Sequence, residues 1–294
     1  MTKFNSNIPI YGLDKFSSSS NPHKGFQVEV FDANRHFSVE YPHRHDFYEV
    51  LYLSGGSGYH IIDSNKYKIE PPCVFFMTPG QTHKLELSQD IDGYIFLFAR
   101  DFYLLNQSDK NKLLSFPFFH AVTRQNPPLL LSNTEDNIFL KNLFIRGSNY
   151  VKSYTATDEI IRSLLDLILL TCTQLYPREY NVLPNNKGHI TVKKFMLLIE
   201  VNYQQNLKVS DYADMLSITA NHLTQLVKQI TGKTTNEILQ EKNILEIKRQ
   251  LLYTNLTVTE IASQMNFADQ SYLTKYFKKC TGQTPLQYRT ESMK

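Results

Sequence analysis

The chain has 294 residues, 41% hydrophobic and 20% charged, with 19 Phe, 18 Tyr and no Trp. This is a globular composition with length for two domains. A net charge of +3 is too small to name a partner, and Cys73, Cys172 and Cys280 lie far apart with no Cys-x-x-Cys pair, which argues against a disulfide scaffold or a structural zinc site.

Met1 to Ile10 is polar and has no apolar signal-peptide core. From Gly25 to about Phe98 the pattern is that of short strands. Phe26, Val28 and Val30 alternate with polar residues, and Glu49-Val-Leu-Tyr-Leu53 runs into the turn cluster Gly55-Gly-Ser-Gly58. Tyr59 to Ile62, Tyr67 to Ile69, Cys73 to Met77 and Tyr94 to Phe98 follow, separated by Pro, Gly, Asn or Asp. Short strands at this spacing, without helices between them, predict a small antiparallel barrel or jelly roll.

Helical spacing takes over after Asp136. Ile138, Phe139, Leu143 and Phe144 are predicted to form one apolar stripe. Thr157 to Tyr176 is apolar at 160, 161, 164, 165, 168 and 169, and also at Leu167 and Leu170. That stripe is wider than one helix face needs, so it is covered on more than one side. The cover is either the protein's own strands or a second copy of the chain, as a dimer. Ile160 to Leu170 is the most apolar stretch, but it contains Arg162 and Asp166 and is too short to span a bilayer. A cytoplasmic protein with no membrane partner is expected.

Pro177 to His189 has turn and linker composition, and seven helices are predicted beyond it. They run from Thr191 to Asn202, Val209 to Leu216, Thr219 to Thr231, Asn236 to Tyr253, then one opening at Thr257-Val-Thr-Glu260, one capped by Asp269 and one opening at Thr284-Pro285. Thr219 and Asp269 have hydroxyl and carboxylate oxygens suited to an N-cap. Thr257 with Glu260 forms a capping-box sequence, and proline is accepted at a first helical position. Asn266, at the end of the fifth helix, tolerates the left-handed conformation of a tight turn.

Within this region two stretches fifty residues apart nearly repeat: Leu223-Thr-Gln-Leu-Val-Lys-Gln-Ile-Thr-Gly-Lys-Thr234 and Leu273-Thr-Lys-Tyr-Phe-Lys-Lys-Cys-Thr-Gly-Gln-Thr284. Each follows a short helix with an alanine at the matching place, Ala213 and Ala262, where two helices cross closely. Two such helix-turn-helix units, near 207–228 and 256–278, suit contact with successive turns of double-stranded DNA. From Ile190 onward there are 13 Lys and Arg against 9 Asp and Glu, so the positive excess lies where phosphates would be met. The predicted outward residues are Asn221, His222, Gln225 and Lys228 in the first unit. In the second they are Gln270, Ser271, Tyr272, Lys275, Lys278 and Lys279. Amide side chains can bind base edges, while lysines mostly hold phosphates.

The stretch from Val192 to Thr290 resembles the AraC/XylS family of bacterial transcription regulators. The most specific part runs from Thr257-Val-Thr-Glu-Ile-Ala to Thr-Pro-Leu-Gln-Tyr-Arg289. Asn266 stands where the family usually has Gly, and Asn243 where many members have Arg. The N-terminal run His43-Arg-His45-Asp-Phe-Tyr-Glu49, with Gly56 and Pro79-Gly-Gln-Thr-His83, resembles parts of the two cupin motifs; Leu87 stands where the second motif has asparagine.

These resemblances imply an α+β protein. A cupin-like β-barrel with a helical dimerisation segment would occupy residues 1–176, a linker 177–190, and an all-α domain of two helix-turn-helix units 191–294. The resemblance implies a sequence-specific transcription regulator, no enzyme, acting as a homodimer, with RNA polymerase as a further partner if it activates. A small-molecule effector, a carbohydrate or metabolite, would bind in the barrel at His43, His45, Tyr48, Glu49 and His83, with no cofactor. A transition metal on His43, His45, Glu49 and His83 is the rival use of that cluster. A cupin oxygenase or isomerase is the rival from another class, and it leaves the last hundred residues without a role. A regulator controlled only by its own expression level is the third reading.

Overall fold

The computed structural model describes residues 8–16, 25–33, 42–63, 65–105, 107–109, 111–119, 127–153, 157–177, 187–205 and 207–292. Residues 178–186, most of the predicted linker, lie outside this set. Contacts divide the chain into two compact units, Ile10–Pro184, and Asn185–Lys294 with Met1–Pro9.

The first unit is built on strands β1 (Ile10–Tyr11), β2 (Phe26–Asp32), β3 (Arg44–His45), β4 (Tyr48–Gly55), β5 (Gly58–Ile62), β6 (Asn65–Ile69), β7 (Cys73–Met77), β8 (His83–Leu87), β9 (Asp92–Phe98) and β10 (Leu129–Leu130). They pair as a five-stranded sheet in the order β10-β7-β4-β9-β2, a three-stranded sheet β6-β5-β8, and the short parallel pair β1-β3. The turn-and-run pattern does not predict strand β8, although His-Lys-Leu-Glu-Leu alternates, nor the two-residue strands β1, β3 and β10. Gly56 turns the chain between β4 and β5 at φ 88°, and a Cβ there would lie 2.6 Å from Ile91 Cα, so the turn requires glycine.

Side chains alternate across each strand, and the central strand β4 therefore faces two cores. Tyr48, Val50 and Tyr52 join Phe26, Phe76, Phe96 and Phe98 on one side. Leu51 and Leu53 join Phe75, Met77, Ile95 and Leu97, together with Ile62 and Ile69 of the smaller sheet, on the other. The second core is thus shared between the two sheets. Helices α1 (Arg100–Leu104), α2 (Lys112–Ser115), α3 (Thr134–Ser153) and α4 (Asp158–Leu175) supply residues to the first core.

Helix α3 does not bury its predicted stripe as a whole. Leu143 and Phe144 are buried with Leu140, but Ile138 and Phe139 are exposed. In α4 the predicted stripe divides similarly. Ile161, Leu164, Leu165, Ile168 and Leu169 pack into the protein's own core, whereas Ile160, Leu167 and Leu170 are exposed. Self-cover therefore explains the larger part of the width, and three outward residues remain.

The second unit consists of α5 (Lys187–Asn202), α6 (Val209–Met215), α7 (Ala220–Thr231), α8 (Thr235–Tyr253), α9 (Val258–Gln264), α10 (Gln270–Thr281) and α11 (Pro285–Ser292). Helix α5 starts inside the stretch read as linker. Thr219 accepts from His222 N at 3.2 Å and Asp269 from Tyr272 N at 2.7 Å, so both predicted caps are present. The box of Thr257 with Glu260 forms, and a second one, Thr234 with Glu237, opens α8. Arg289 on α11 donates to the carbonyls of Leu251 and Leu256 at 2.8 and 2.7 Å, tying the last helix to the end of α8.

Candidate DNA interface and effector site

The two short helix pairs of the second unit are built alike. In each, the first helix ends in a left-handed residue, Ser217 at φ 55° and Asn266 at φ 53°. The next amide then reaches back to the alanine carbonyl, Ile218 N to Ala213 O at 3.0 Å and Phe267 N to Ala262 O at 2.9 Å. This six-to-one bond is the Schellman closure of a helix end, and it sets the angle at which the following helix leaves. Both alanines are buried. Helices α7 and α10 each have 12 residues and each end at a left-handed glycine, Gly232 and Gly282.

Exposure follows the same order of positions in both helices. Leu223 and Val227 are buried in α7, as are Leu273 and Phe277 in α10. Asn221, His222, Gln225 and Lys228 are exposed, and so are Gln270, Ser271, Tyr272, Lys275, Lys278 and Lys279. One of these is already engaged: Gln270 Oε1 accepts from Thr259 Oγ1 at 2.7 Å, which ties the start of α10 to α9. Asn243, on α8, hydrogen-bonds the side chain of Tyr276, whose pKa rises to about 12 mainly through burial. Helix α8 also carries a buried ion network: Lys242 lies 2.8 Å from Glu246 and also pairs with Glu200 of α5, and Glu246 pairs with Arg249. A cleft of about 550 Å³ beside α8 is lined by Tyr203, Tyr212, Asn236, Tyr272, Tyr276 and Lys279 among others.

In the first unit, backbone pairing gathers the polar cluster. His43 and His83 exchange both backbone hydrogen bonds, at 3.2 and 2.9 Å, which places their side chains directly opposite each other. Their Nε2 atoms are 2.9 Å apart. His45, two residues on, has its ring centroid 5.2 Å from that of His83 and stacks on Phe47. Glu49 enters from β4, paired with Met77 on one side and Leu97 on the other, a carboxylate set in an apolar row. His45 Nε2 is 3.8 Å from Glu49 Oε2.

Two predicted site residues part company here. Tyr48 neighbours Glu49 in sequence but points to the opposite face of β4, where it stacks on Phe98 with ring centroids 5.2 Å apart. A period of two puts successive residues on opposite sides; Tyr48 belongs to the helix-covered core. The sequence reading also omits His60. It pairs with Leu85 on β8, and so lies diagonally beside His83 on the same face, with His60 Nε2 3.0 Å from His83 Nδ1. The register of β5 against β8 carries that information, and no sequence motif does.

Burial governs the charge state of the cluster. His43, His45, Glu49, His60 and His83 are all buried. Desolvation lowers the pKa of His45 and of His60 to about 3, lowers that of His83 well below the ordinary value, and raises that of Glu49 to about 8. The imidazoles of His45, His60 and His83 are neutral at pH 7 and can act as lone-pair donors. His45, Glu49 and His83 each offer one ligand atom, all within 4.8 Å of one another. Neither the cleft beside α8 nor a cavity of about 580 Å³ along α3, past Asn142, Arg146 and Tyr150, includes the cluster.

Residues 26–144 match the family described as AraC-like ligand binding domain, and residues 212–291 match a helix-turn-helix domain family. The HTH-type transcriptional activator RhaS of Yersinia pestis bv. Antiqua (strain Antiqua) is 24% identical over 294 residues, covering 96% of this chain and 98% of its own. The uncharacterized HTH-type transcriptional regulator YfiF of Bacillus subtilis (strain 168) is 25% identical over 274 residues, covering 90% and 83%. Among solved structures, ToxT from Vibrio cholerae O395 is 16% identical with a TM-score of 0.43, covering 91% of this chain and 98% of that one. No described helix is long and apolar enough to cross a membrane. With a sheet-built ligand-binding domain ahead of paired helix-turn-helix units, the chain belongs to the AraC family of DNA-binding transcription regulators.

Proposed function

We propose that α7 and α10 enter successive major grooves of an operator and that the first unit senses a small-molecule effector. The observation that carries this reading is the repeated exposure pattern of the two helices, which presents matching positions to DNA twice. Asn221, His222, Gln225, Ser271 and Tyr272 are the base-reading candidates, Gln270 positions α10, and Lys228, Lys275, Lys278 and Lys279 hold phosphates. The first unit, residues 1–176 by the division read from sequence, acts as the sensor and the helical region from 191 as the reader. The protein acts in the cytoplasm and catalyses no reaction.

The effector, a carbohydrate or metabolite, acts at or through His43, His45, Glu49 and His83, the buried polar group within the second core; Tyr48 takes part only through the helix-facing core. A ligand shifts DNA affinity only through different affinity for two arrangements of the protein. Dimerisation through Ile160, Leu167 and Leu170 fits their exposure on α4. An activator would also touch RNA polymerase.

Operator fragments selected from random DNA by the full-length protein provide the test. Two half-sites per bound chain, about one helical turn apart, are expected, with His83→Ala abolishing the effector response and retaining the selected sequence. A single half-site per chain would defeat the two-groove reading.

A further inference from the structure

Helix α8 packs on α5 and α7 of the first helix-turn-helix and on α9 and α11 of the second. At its start Thr235 Oγ1 lies 3.5 Å from Thr224 Oγ1 of α7. Near its end Leu251 O accepts from Arg289 of α11 at 2.8 Å. The helix is therefore a lever between α7 and α10. It has 19 residues, so at ~1.5 Å per residue a tilt of ~10° about its start displaces its end by ~5 Å. One base pair of DNA rises only ~3.4 Å. With α7 seated in its groove, the tilt of α8 decides which base pairs α10 reaches.

A set of charges holds that tilt. Lys242, Glu246 and Arg249 are spaced as i, i+4 and i+7, on one face of the middle of α8, and all three are buried. Lys242 Nζ is 2.8 Å from Glu246 and 4.9 Å from the ring centroid of Tyr203, just past the end of α5. Its other carboxylate partner, the half-buried Glu200, belongs to α5 itself. Burial opposes the charge on Lys242, but Glu200 and Glu246 outweigh it and raise the pKa above the ordinary lysine value. The pairs of Glu246 with Lys242 and Arg249 stay within α8, whereas the Glu200 pair crosses to the first helix-turn-helix. Such a network is a poor source of stability, because desolvation offsets the attraction, and fixing register is the better-attested use of buried ions. Apolar contact is non-directional, but an ammonium held by Glu200, Glu246 and Tyr203 together has one place.

We propose that Glu200 and Lys242 are positioning residues: their pair locks the tilt of α8 against α5 and so sets the separation of the two half-sites that the protein accepts. This role rests on the two-groove reading above, and locates the choice of spacing in a contact outside α7 and α10.

The test uses full-length protein and the operator it selects from random DNA, intact or with one base pair inserted or deleted between the half-sites. Fluorescence anisotropy measures the affinity for each. The wild type is expected to lose ~10-fold or more on either change, of the order of a mismatched base pair. Glu200→Gln cuts the tie to α5 and leaves Lys242 with Glu246. Its loss should be several-fold smaller, with a melting temperature near that of wild type. Glu241→Gln removes the same charge from an exposed pair with Lys233 and should keep the wild-type spacing preference. The triple variant Lys242→Met, Glu246→Leu and Arg249→Met removes the network at similar volume, and should relax spacing with its fold retained or stabilised. If Glu200→Gln and the triple variant are folded and discriminate spacing as sharply as wild type, the positioning role is overturned. Equal relaxation in Glu241→Gln overturns it as well, by tracing the effect to charge alone. A wild type indifferent to the inserted base pair defeats the two-groove reading itself.

Discussion

The two helix-turn-helix units share a scaffold and differ in the chemistry laid over it. Both have a buried alanine, a left-handed turn, a capped 12-residue helix and a left-handed glycine at its end. Over that frame α7 presents Asn221, His222, Gln225 and a single predicted phosphate contact, Lys228. Helix α10 presents Lys275, Lys278 and Lys279 with Tyr272. Scaffold positions answer to packing, and outward positions are free to answer to DNA. On the function proposed above, the first helix-turn-helix would lean toward base reading, and the second would add most of the phosphate contacts.

The scaffold half of this comparison has the largest expected effects. Leu223 and Leu273 are both fully buried at the same place in their helices, so Leu223→Ala and Leu273→Ala should each cost about 2–5 kcal/mol. Phe277, packed edge-on against Tyr288, has Val227 as its smaller counterpart, and Phe277→Ala should cost about 3–5 kcal/mol. Denaturant unfolding followed by helical circular dichroism measures these losses. A Leu223→Ala variant as stable as wild type would show that the first frame is not held as the second is.

On the DNA-facing side, replacing Lys275, Lys278 and Lys279 together by alanine should reduce the slope of log affinity against log salt by about 3. Non-specific DNA should be affected as much as operator. Gln225→Ala should cost about 1–3 kcal/mol on operator alone. Fluorescence anisotropy on both DNAs at several salt concentrations separates the two outcomes. Equal losses on both DNAs for Gln225→Ala would erase the distinction between base reading and phosphate contact.

The legibility of the chain follows the same division between local and long-range causes. Caps and left-handed turns depend on residues within three or four positions, and so Thr219, Thr257 with Glu260, Asn266 and Asp269 declare themselves in sequence. The exposed faces of α7 and α10 follow from helical period. Neither principle reaches His60, which meets His83 only through the register of β5 against β8. Strand alternation does distinguish Tyr48 from Glu49, and the motif resemblance concealed it by grouping neighbours. For α4 the sequence shows surplus apolar width but not its direction: Leu164 and Ile168 turn inward because α4 packs into the helix-covered core, leaving Ile160, Leu167 and Leu170 outside.

The units also differ in what lies beneath them. The cluster under the second takes in Ile247, Leu251, Leu256 and Phe277, and under the first α5, which packs on α7, buries Lys193. Desolvation lowers the Lys193 pKa to about 8. A depressed lysine pKa means that the unfolded chain holds its proton more tightly. Stability therefore rises with pH between about 8 and the ordinary lysine value of about 10.4, and at pH 7 the folded state bears the cost of the buried charge. Lys193→Met should stabilise the protein at pH 7 by up to roughly 3 kcal/mol. The variant should also lose the rise in melting temperature between pH 8 and 10. An identical pH profile in wild type and variant would remove Lys193 as the cause.

The smallest expected effect tests the turn that both units share. Ser217 and Asn266 occupy the left-handed region at nearly the same φ, 55° and 53°. The steric cost arises from Cβ against the carbonyl and applies to both, but asparagine offsets part of it because its short polar side chain interacts locally with the backbone. Serine lacks the amide that favours this conformation, so the first turn carries more strain. Ser217→Gly relieves the Cβ clash but increases the conformational freedom lost on folding by roughly 0.5–1 kcal/mol, against a left-handed penalty of roughly 1–2 kcal/mol. The balance is a gain of up to about 1 kcal/mol at Ser217 and a value near zero at Asn266. Paired denaturant midpoints of Ser217→Gly and Asn266→Gly decide it. Equal gains at both sites would mean that the two turns store the same strain, and that the asparagine in the second unit is not there to relieve it.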